Sequence, residues 1–177
     1  MEDRQIVEAV LGGDTRRYAE IVERYQQIVA NLTYKLCGNR LEVEEVTQQV
    51  FVELYMALPR FRFDSKLSSF LYRITVNTVC KMLNRANRFV SADALEQQPE
   101  LPSEEFNAQQ QMIRQEQMEQ LRTAIGHLKS EQRTALVLYT YEDFSYQQIA
   151  EVMGCSLSKV ESLIFRAKKN LAKELKQ

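Results

Sequence analysis

Apolar residues recur at steps of three and four through most of this sequence, which is the spacing of one face of an α-helix. Glycine (5) and proline (3) are scarce, and those present stand where apolar stripes stop, as at Gly12-Gly13 and Pro59. Asp14 follows the glycines as a candidate N-cap. The pattern predicts an all-α protein with helices over 2–11, 14–36, 42–58 and 70–89, and several short helices from about residue 107 onward.

Charge is divided into blocks along the chain. The net charge is −1, but residues 58–90 carry +6, residues 91–120 carry −6 and residues 121–177 carry +3. The segment 90–106 has two prolines, five acidic residues and no Lys or Arg, which is typical of a flexible acidic linker. Basic blocks separated by an acidic one indicate two places that meet nucleic acid, although solvated helix faces are the plainer alternative. The predicted parts are two small helical domains, 1–89 and 113–177, with a linker at 90–112.

The C-terminal block carries the signature of a helix-turn-helix. Ser145 and Gln148 form a capping box that opens a short helix, Gly154-Cys155 supplies a turn, and Ser156 is placed to cap a second helix. A second helix of this kind enters the DNA major groove with its N-terminal residues at the base edges. A surface pair of helices with solvated lysines is the alternative. The candidate base and phosphate contacts are Ser156, Ser158, Lys159, Glu161, Ser162, Arg166 and Lys169.

The end of the N-terminal domain combines cations, amides and aromatic rings. A stripe along the helix predicted at 70–89 contains Arg73, Asn77, Lys81, Asn84, Arg85 and Arg88. The loop before it adds Arg62, Phe63 and Lys66. A cationic groove beside exposed aromatic rings suits single-stranded nucleic acid, because bases stack while the phosphates follow the charge. Phe61 and Phe63 are equally suited to sealing the core, and we expect at least one to do so.

The helix predicted at 42–58 has an apolar stripe on one side and a polar face on the other. That polar face contains Glu45, Gln48, Gln49 and Glu53. Such a face is ordinarily just solvated, so its residues alone do not predict a partner.

Several classes of protein have no support in the sequence. Three scattered cysteines and a single histidine, His127, form neither a disulfide framework nor a metal site. Neither a phosphate-binding glycine loop nor a nucleophile motif is present, so we expect no enzyme and no cofactor. The N-terminus carries charges within its apolar stretch, unlike a signal peptide, and no apolar run reaches about 18 residues. We therefore expect a cytoplasmic protein.

Two motif blocks, in order, carry a resemblance to a known family. Residues 128–175, with Ser145-Tyr146, Ile149-Ala150 and Arg166-Ala167, resemble region 4 of sigma-70-type transcription initiation factors. Residues 41–58 resemble region 2.2 through Glu44, Thr47, Gln48, Val50 and Phe51. Residues 61–85 resemble regions 2.3 and 2.4 through Leu71-Tyr72-Arg73-Ile74 and Asn77, with Phe70 in place of the usual Trp. No segment resembles regions 1.1 or 3, which is typical of the small extracytoplasmic-function (group 4) class. Lys159, Glu161 and Leu163 depart from the usual pattern, which leaves the −35 sequence open.

The resemblance implies roles for these surfaces. The polar face of 42–58 would bind the clamp helices of the polymerase β′ subunit, and region 4 would contact the β flap. The 60–69 loop would capture an unstacked −10 base, with Asn77 reading nearby bases, and the second helix of the helix-turn-helix would read the −35 duplex. The implied partners are core RNA polymerase, promoter DNA and an anti-sigma factor. A stand-alone helix-turn-helix regulator is the alternative, but it would not need the 41–58 motif and would usually dimerise on palindromic sites.

Overall fold

The computed structural model describes residues 3–37, 43–89 and 108–176. Within these ranges the chain is helical and forms no strand, which confirms the predicted fold class. Most of the predicted linker, 90–107, lies outside the described residues. The helices are α1 Asp3–Leu11, α2 Tyr18–Cys37, α3 Val43–Ala57, α4 Leu67–Phe89, α5 Ala108–His127, α6 Ser130–Tyr141, α7 Tyr146–Met153 and α8 Leu157–Glu174.

The chain divides into two compact units, an N-terminal unit of residues 1–91 and a C-terminal unit of residues 92–177. In the N-terminal unit α2, α3 and α4 pack on one another around Ile21, Leu54 and Leu71, all nearly inaccessible to solvent. Polar contacts between helices accompany this core. The Tyr18 hydroxyl donates to the carbonyl oxygen of Phe51 at 2.6 Å, and burial raises the pKa of that hydroxyl.

Helix α1 is fixed to α2 by both apolar and polar contacts. Ile6 and Val7 are fully buried, and the Asp3 carboxylate accepts a hydrogen bond from the Tyr25 hydroxyl at 2.6 Å. Arg24 forms an ion pair with the same carboxylate. Burial, and next the bond to Asp3, raises the pKa of Tyr25. The first helix is therefore an integral part of the N-terminal unit.

Two local expectations for this unit are wrong. Helix α4 begins at Leu67, three residues before the predicted start, because Leu67 and Leu71 are one turn apart and both buried. Asp14 does not cap a helix with its side chain: a 3-10 turn at Thr15–Arg17 precedes α2. The chain leaves α1 through Gly13 at φ 105°, a conformation that glycine adopts without strain.

The C-terminal unit packs α6, α7 and α8 together, with α5 against α8. Its interior contains Leu138, Ile149, Val160 and Ile164, all nearly inaccessible to solvent. The amide of Asn170 on α8 donates to the Gln132 side chain of α6 at 3.1 Å. The sequence predicted several short helices here. Helices α5 and α8 are longer than that, at 20 and 18 residues.

Candidate DNA and polymerase interfaces

Three aromatic rings lie side by side where the loop 61–66 meets α4, and we call Phe61, Phe63 and Phe70 the aromatic stack. The ring of Phe61 is 4.8 Å from that of Phe63 and 4.9 Å from that of Phe70, measured between centroids. Phe61 is buried, so it seals the core as expected, while Phe63 is half-buried. A guanidinium lies over each outer ring, Arg4 over Phe63 at 5.0 Å and Arg73 over Phe70 at 5.2 Å.

The backbone of Phe63 adopts φ 59°, a left-handed conformation that bulky residues rarely adopt. Strained backbone of this kind is concentrated at functional sites. Here it accompanies a ring that remains half-exposed beside a buried one. The stack therefore offers an aromatic surface next to solvent.

Helix α4 carries the predicted cationic stripe on its solvent side. The side chains of Arg73, Asn77, Lys81 and Arg85 are all exposed, as are Arg62 and Lys66 in the preceding loop. Arg88 lies on the same helix, but its side chain is outside the described residues. The structure thus brings together the cations and the aromatic stack in one unit, as a groove for single-stranded nucleic acid requires.

The predicted docking face of α3 differs in composition from its sequence description. Glu45, Gln48 and Gln49 are exposed, but Glu53 turns toward α4. Its carboxylate accepts a hydrogen bond from the Thr78 hydroxyl at 3.0 Å and lies 3.4 Å from the Lys81 ammonium. Glu53 therefore joins the two helices while it remains partly accessible.

Two apolar side chains share the exposed side of α3, and the sequence analysis missed both. Val52 is 57% exposed and Met56 is 72% exposed. With Glu45 and Gln49 they follow steps of four, three and four, so they project on one face. We call this mixed surface the α3 face. Interface cores are poor in charged residues and rich in apolar ones such as Met, so the α3 face is better suited to binding a protein than a purely polar surface would be.

The helix-turn-helix is formed as predicted. The Ser145 hydroxyl accepts from the backbone N–H of Gln148 at 3.3 Å, and the Gln148 side chain accepts from the N–H of Ser145 at 2.8 Å. Gly154 ends α7 in the left-handed conformation with φ 61°. The Ser156 hydroxyl then caps α8 by accepting from the N–H of Lys159 at 3.3 Å. On the inner side of α8, Val160, Leu163, Ile164 and Ala167 are buried and Leu171 is half-buried.

The other side of α8 presents the candidate DNA contacts to solvent. Ser158, Glu161, Ser162, Arg166 and Lys169 are exposed. The Ser156 hydroxyl lies 3.2 Å from that of Ser158 in addition to capping the helix. The ammonium of Lys159 donates to the Glu131 carboxylate on α6 at 2.6 Å, and this hydrogen bond raises the pKa of Lys159.

Phe165 is an exposed aromatic residue on this helix that the sequence analysis did not select. Its side chain is 68% exposed and lies on the same side as Ser158, Ser162 and Lys169. An apolar side chain in the major groove can contact the methyl group of thymine. The helical spacing of Phe165 with the polar candidates was a signal that could have identified it.

Arg133, a buried arginine of α6, binds the end of α5 and was also missed. The Arg133 side chain donates to the carbonyl oxygens of Ile125, Gly126 and Leu128 at the end of α5. A helix end leaves its last carbonyls without partners inside the helix. Arg133 satisfies them and joins α5 to α6, which packs against α8.

The described residues contain no group of three or more His, Cys, Asp or Glu side chains that could hold a metal ion. No helix in the described ranges is long and apolar enough to cross a membrane.

The fold and its exposed surfaces define a helical DNA-binding protein with two separate candidate contact regions. Residues 21–89 match the family Sigma-70 region 2, and residues 118–171 match Sigma-70, region 4. The chain is 33% identical to the RNA polymerase sigma-H factor of Pseudomonas aeruginosa, over 98% of this chain and 94% of that protein. It is 32% identical to the ECF RNA polymerase sigma-E factor of Escherichia coli K12, over 95% and 91% of the two chains.

Solved structures show the same fold. CnrH in complex with the cytosolic domain of CnrY superposes with a TM-score of 0.68 at 22% identity, covering 98% of this chain and 97% of that one. The sigma factor RpoE in complex with the anti-sigma factor NepR from Bartonella quintana gives a TM-score of 0.68 at 19% identity, covering 90% and 96%. The chain belongs to the sigma-70 family, as an RNA polymerase sigma factor of the extracytoplasmic-function type. It acts in promoter recognition and transcription initiation with core RNA polymerase and promoter DNA, and the comparisons do not support the stand-alone regulator.

Proposed function

We propose that the N-terminal unit binds core polymerase and the melted −10 strand, that the C-terminal unit binds the −35 duplex, and that the protein catalyses no reaction itself. The observation that carries this proposal is the exposed cationic stripe of α4 beside the aromatic stack. Unpaired bases can stack on aromatic rings, whereas the bases of a duplex are already stacked on one another.

At the −10 element, Arg62, Lys66, Arg73, Lys81, Arg85 and Arg88 neutralise phosphates while Phe63 contacts an unstacked base. Asn77 has an amide that can donate to and accept from a base edge, so it is the reader in this set. Strand opening needs no chemistry here. The binding of unpaired bases offsets the few kcal/mol that unstacking costs.

At the −35 element, α8 enters the major groove with its N-terminal turn toward the bases. Ser158, Lys159, Glu161 and Ser162 contact base edges, and Glu161 suits cytosine because its carboxylate accepts from the N4 amine. Arg166 and Lys169 bind phosphates. Ser156 contributes its helix cap, and Phe165 adds an apolar contact.

Core polymerase binds the α3 face, formed by Glu45, Gln49, Val52 and Met56, together with the neighbouring exposed Gln48. The partner surface is the pair of clamp helices of β′, and the C-terminal unit contacts the β flap. Glu53 lies at the border of this surface, and its contacts with Thr78 and Lys81 join α3 to α4. Because polymerase and promoters are found in the bacterial cytoplasm, the protein functions there.

Run-off transcription tests the proposal. Purified protein with core polymerase from its own host should initiate at specific start sites within a library of genomic promoters. The protein alone should bind duplex promoter DNA weakly. Tight binding to a palindromic duplex without polymerase, or no initiation in the presence of core enzyme, would overturn the proposal.

The α3 face has its own test. Glu45→Lys combined with Gln48→Ala should weaken association with core polymerase and leave helix content unchanged, since both side chains are exposed and three residues apart. Equal recovery of core polymerase by the double variant and the wild type contradicts this assignment. Glu23→Lys, an exposed charge reversal on α2, serves as the control.

We also propose that an anti-sigma factor holds the protein inactive. The similar protein RpoE of Bartonella quintana is described in complex with such a factor. The exposed apolar side chains of Val52, Met56 and Phe165 are surfaces that a helical partner would cover. Purification from the native host should recover a partner that competes with core polymerase. Recovery of core polymerase alone, with and without stress, would contradict this proposal and leave the others intact.

A further inference from the structure

Helix α1 brings one cation to the aromatic stack. The Arg4 guanidinium lies 5.0 Å from the centroid of the Phe63 ring, and its side chain remains 65% exposed. Phe61 lies near the same ring at 4.8 Å. Arg4 thus lies over one face of Phe63, whose side chain stays half-exposed, and the guanidinium itself remains accessible to solvent.

The position of Arg4 is fixed by folded structure. Ile6 and Val7 are fully buried, and Asp3 is held by Tyr25 and Arg24 of α2. The Glu8 carboxylate accepts from Arg4 Nε at 2.9 Å, one turn further along α1. The guanidinium is therefore held at one edge by Glu8 and lies over Phe63.

Glu8 also decides what the exposed side of the guanidinium can bind. A carboxylate 2.9 Å away offsets the cation and repels a phosphate that approaches the same place. An uncharged base is not repelled, and bases stack on arginine planes as they do on aromatic rings. The local chemistry favours a base over a phosphate.

We propose that Arg4 of α1 is a further DNA-binding residue, whose guanidinium stacks on an unpaired base of the −10 strand above Phe63. This rests on the proposed binding of the melted strand by the N-terminal unit. Arg4 thereby extends the aromatic stack outward by one layer. Without DNA, an exposed cation over a ring stabilises the fold only slightly.

The test uses holoenzyme and short non-template oligonucleotides that span the −10 element. One set has an abasic site at each position in turn. Arg4→Ala should weaken binding of the intact strand by about fivefold or more. The loss should disappear on the one strand whose abasic site removes the stacked base. Arg4→Lys should lose affinity to a similar extent, since lysine keeps the charge but has no planar group.

Arg16→Ala is the matched control, because its side chain is 95% exposed and pairs with Asp14 at 3.7 Å, not with the stack. It should bind as wild type does, and the thermal unfolding midpoints of all variants should agree within a few degrees. Equal losses for Arg4→Ala and Arg16→Ala, full retention by Arg4→Lys, or an equal loss on every abasic strand would each overturn the base contact. Arg85→Ala separates this from the proposed function: if it also left strand binding unchanged, the proposed −10 role would fail as a whole.

Discussion

The two units present their candidate DNA contacts in different ways. In the C-terminal unit the contacts lie on α8 or at its cap, so a single helix with a defined start determines the surface. In the N-terminal unit the surface is assembled from α1, the loop 61–66 and α4, with α3 bonded to it through Glu53. A surface on one helix follows from local periodicity, whereas an assembled surface depends on contacts between residues far apart in the chain.

Both units contain an ion pair between a candidate DNA-binding lysine and an acidic residue. Each holds a candidate lysine in an ion pair with an acid 28 residues away, Lys159 with Glu131 and Lys81 with Glu53. Exposed pairs of this kind contribute little to stability because water and salt screen them. In the proposed complexes a DNA phosphate therefore replaces the carboxylate at small cost.

The largest expected effect separates the units by stability. Arg133→Ala removes a nearly inaccessible side chain that donates to three carbonyl oxygens at the end of α5. We expect the free energy of unfolding of the C-terminal unit to fall by about 2–4 kcal/mol. Urea denaturation followed by circular dichroism should show its transition moved to lower urea, with that of the N-terminal unit unchanged.

Arg166→Ala is the control for this change, because Arg166 is exposed on α8 and its loss removes the same charge. It should leave both transitions in place while weakening −35 binding. If the transition of the N-terminal unit moved with Arg133→Ala, the two units would not be independent in stability, and the comparison between them would need revision.

The α3 face predicts the next largest effect. Met56→Asp places a charge at the most exposed apolar position of that face, where a bound partner would bury it without compensation. Association with core polymerase should weaken by about tenfold or more. Surface plasmon resonance with immobilised core enzyme measures this.

Leu11→Asp provides the matched control for Met56→Asp. Leu11 is an exposed apolar residue of the same unit at the end of α1, outside the α3 face. Its substitution should leave association unchanged. Comparable losses in the two variants would mean that the α3 face has no special role.

The −10 surface predicts a difference in kind between neighbours on α4. Arg85→Ala should weaken strand binding severalfold on all sequences and lower the salt slope by about one. Asn77→Ala should change which −10 bases are preferred with little change in salt slope. Fluorescence anisotropy with a panel of oligonucleotides at several salt concentrations separates the two, and equal, sequence-independent losses would show that Asn77 is not a base reader.

Local features of the sequence were enough for much of the fold. The capping box of Ser145 and Gln148, the turn at Gly154 and the cap at Ser156 each involve residues a few positions apart, so the helix-turn-helix was predicted correctly. The buried stripes of α2 and α3 follow from helical spacing in the same way. The family assignment agrees with them.

What the sequence analysis missed depends on packing between distant residues. Arginine is rarely buried, so nothing in its local sequence distinguishes Arg133 until the end of α5 lies beside it. In the sequence Glu53 is one of several polar residues on α3, and only the fold brings the Thr78 hydroxyl of α4 within hydrogen-bond distance of it. Val52, Met56 and Phe165 were assigned to no surface, because the exposed side of an apolar residue depends on which neighbours cover the helix.

The smallest expected effect concerns the Lys159 ion pair. Glu131→Gln removes the carboxylate that holds the ammonium, and the pKa of Lys159 should fall back toward its usual 10.5. The lysine stays protonated at pH 7 in either case, so any change comes from its availability to DNA and not from its charge. Duplex −35 binding by the holoenzyme should tighten by about twofold.

Two controls accompany this variant. Glu151→Gln changes an exposed acid on α7, removes the same charge and should have less effect. In the background Lys159→Ala the gain from Glu131→Gln should vanish, since the two residues act as a pair. A gain of equal size in that background would show that Glu131 acts through general charge repulsion and not through its pair with Lys159.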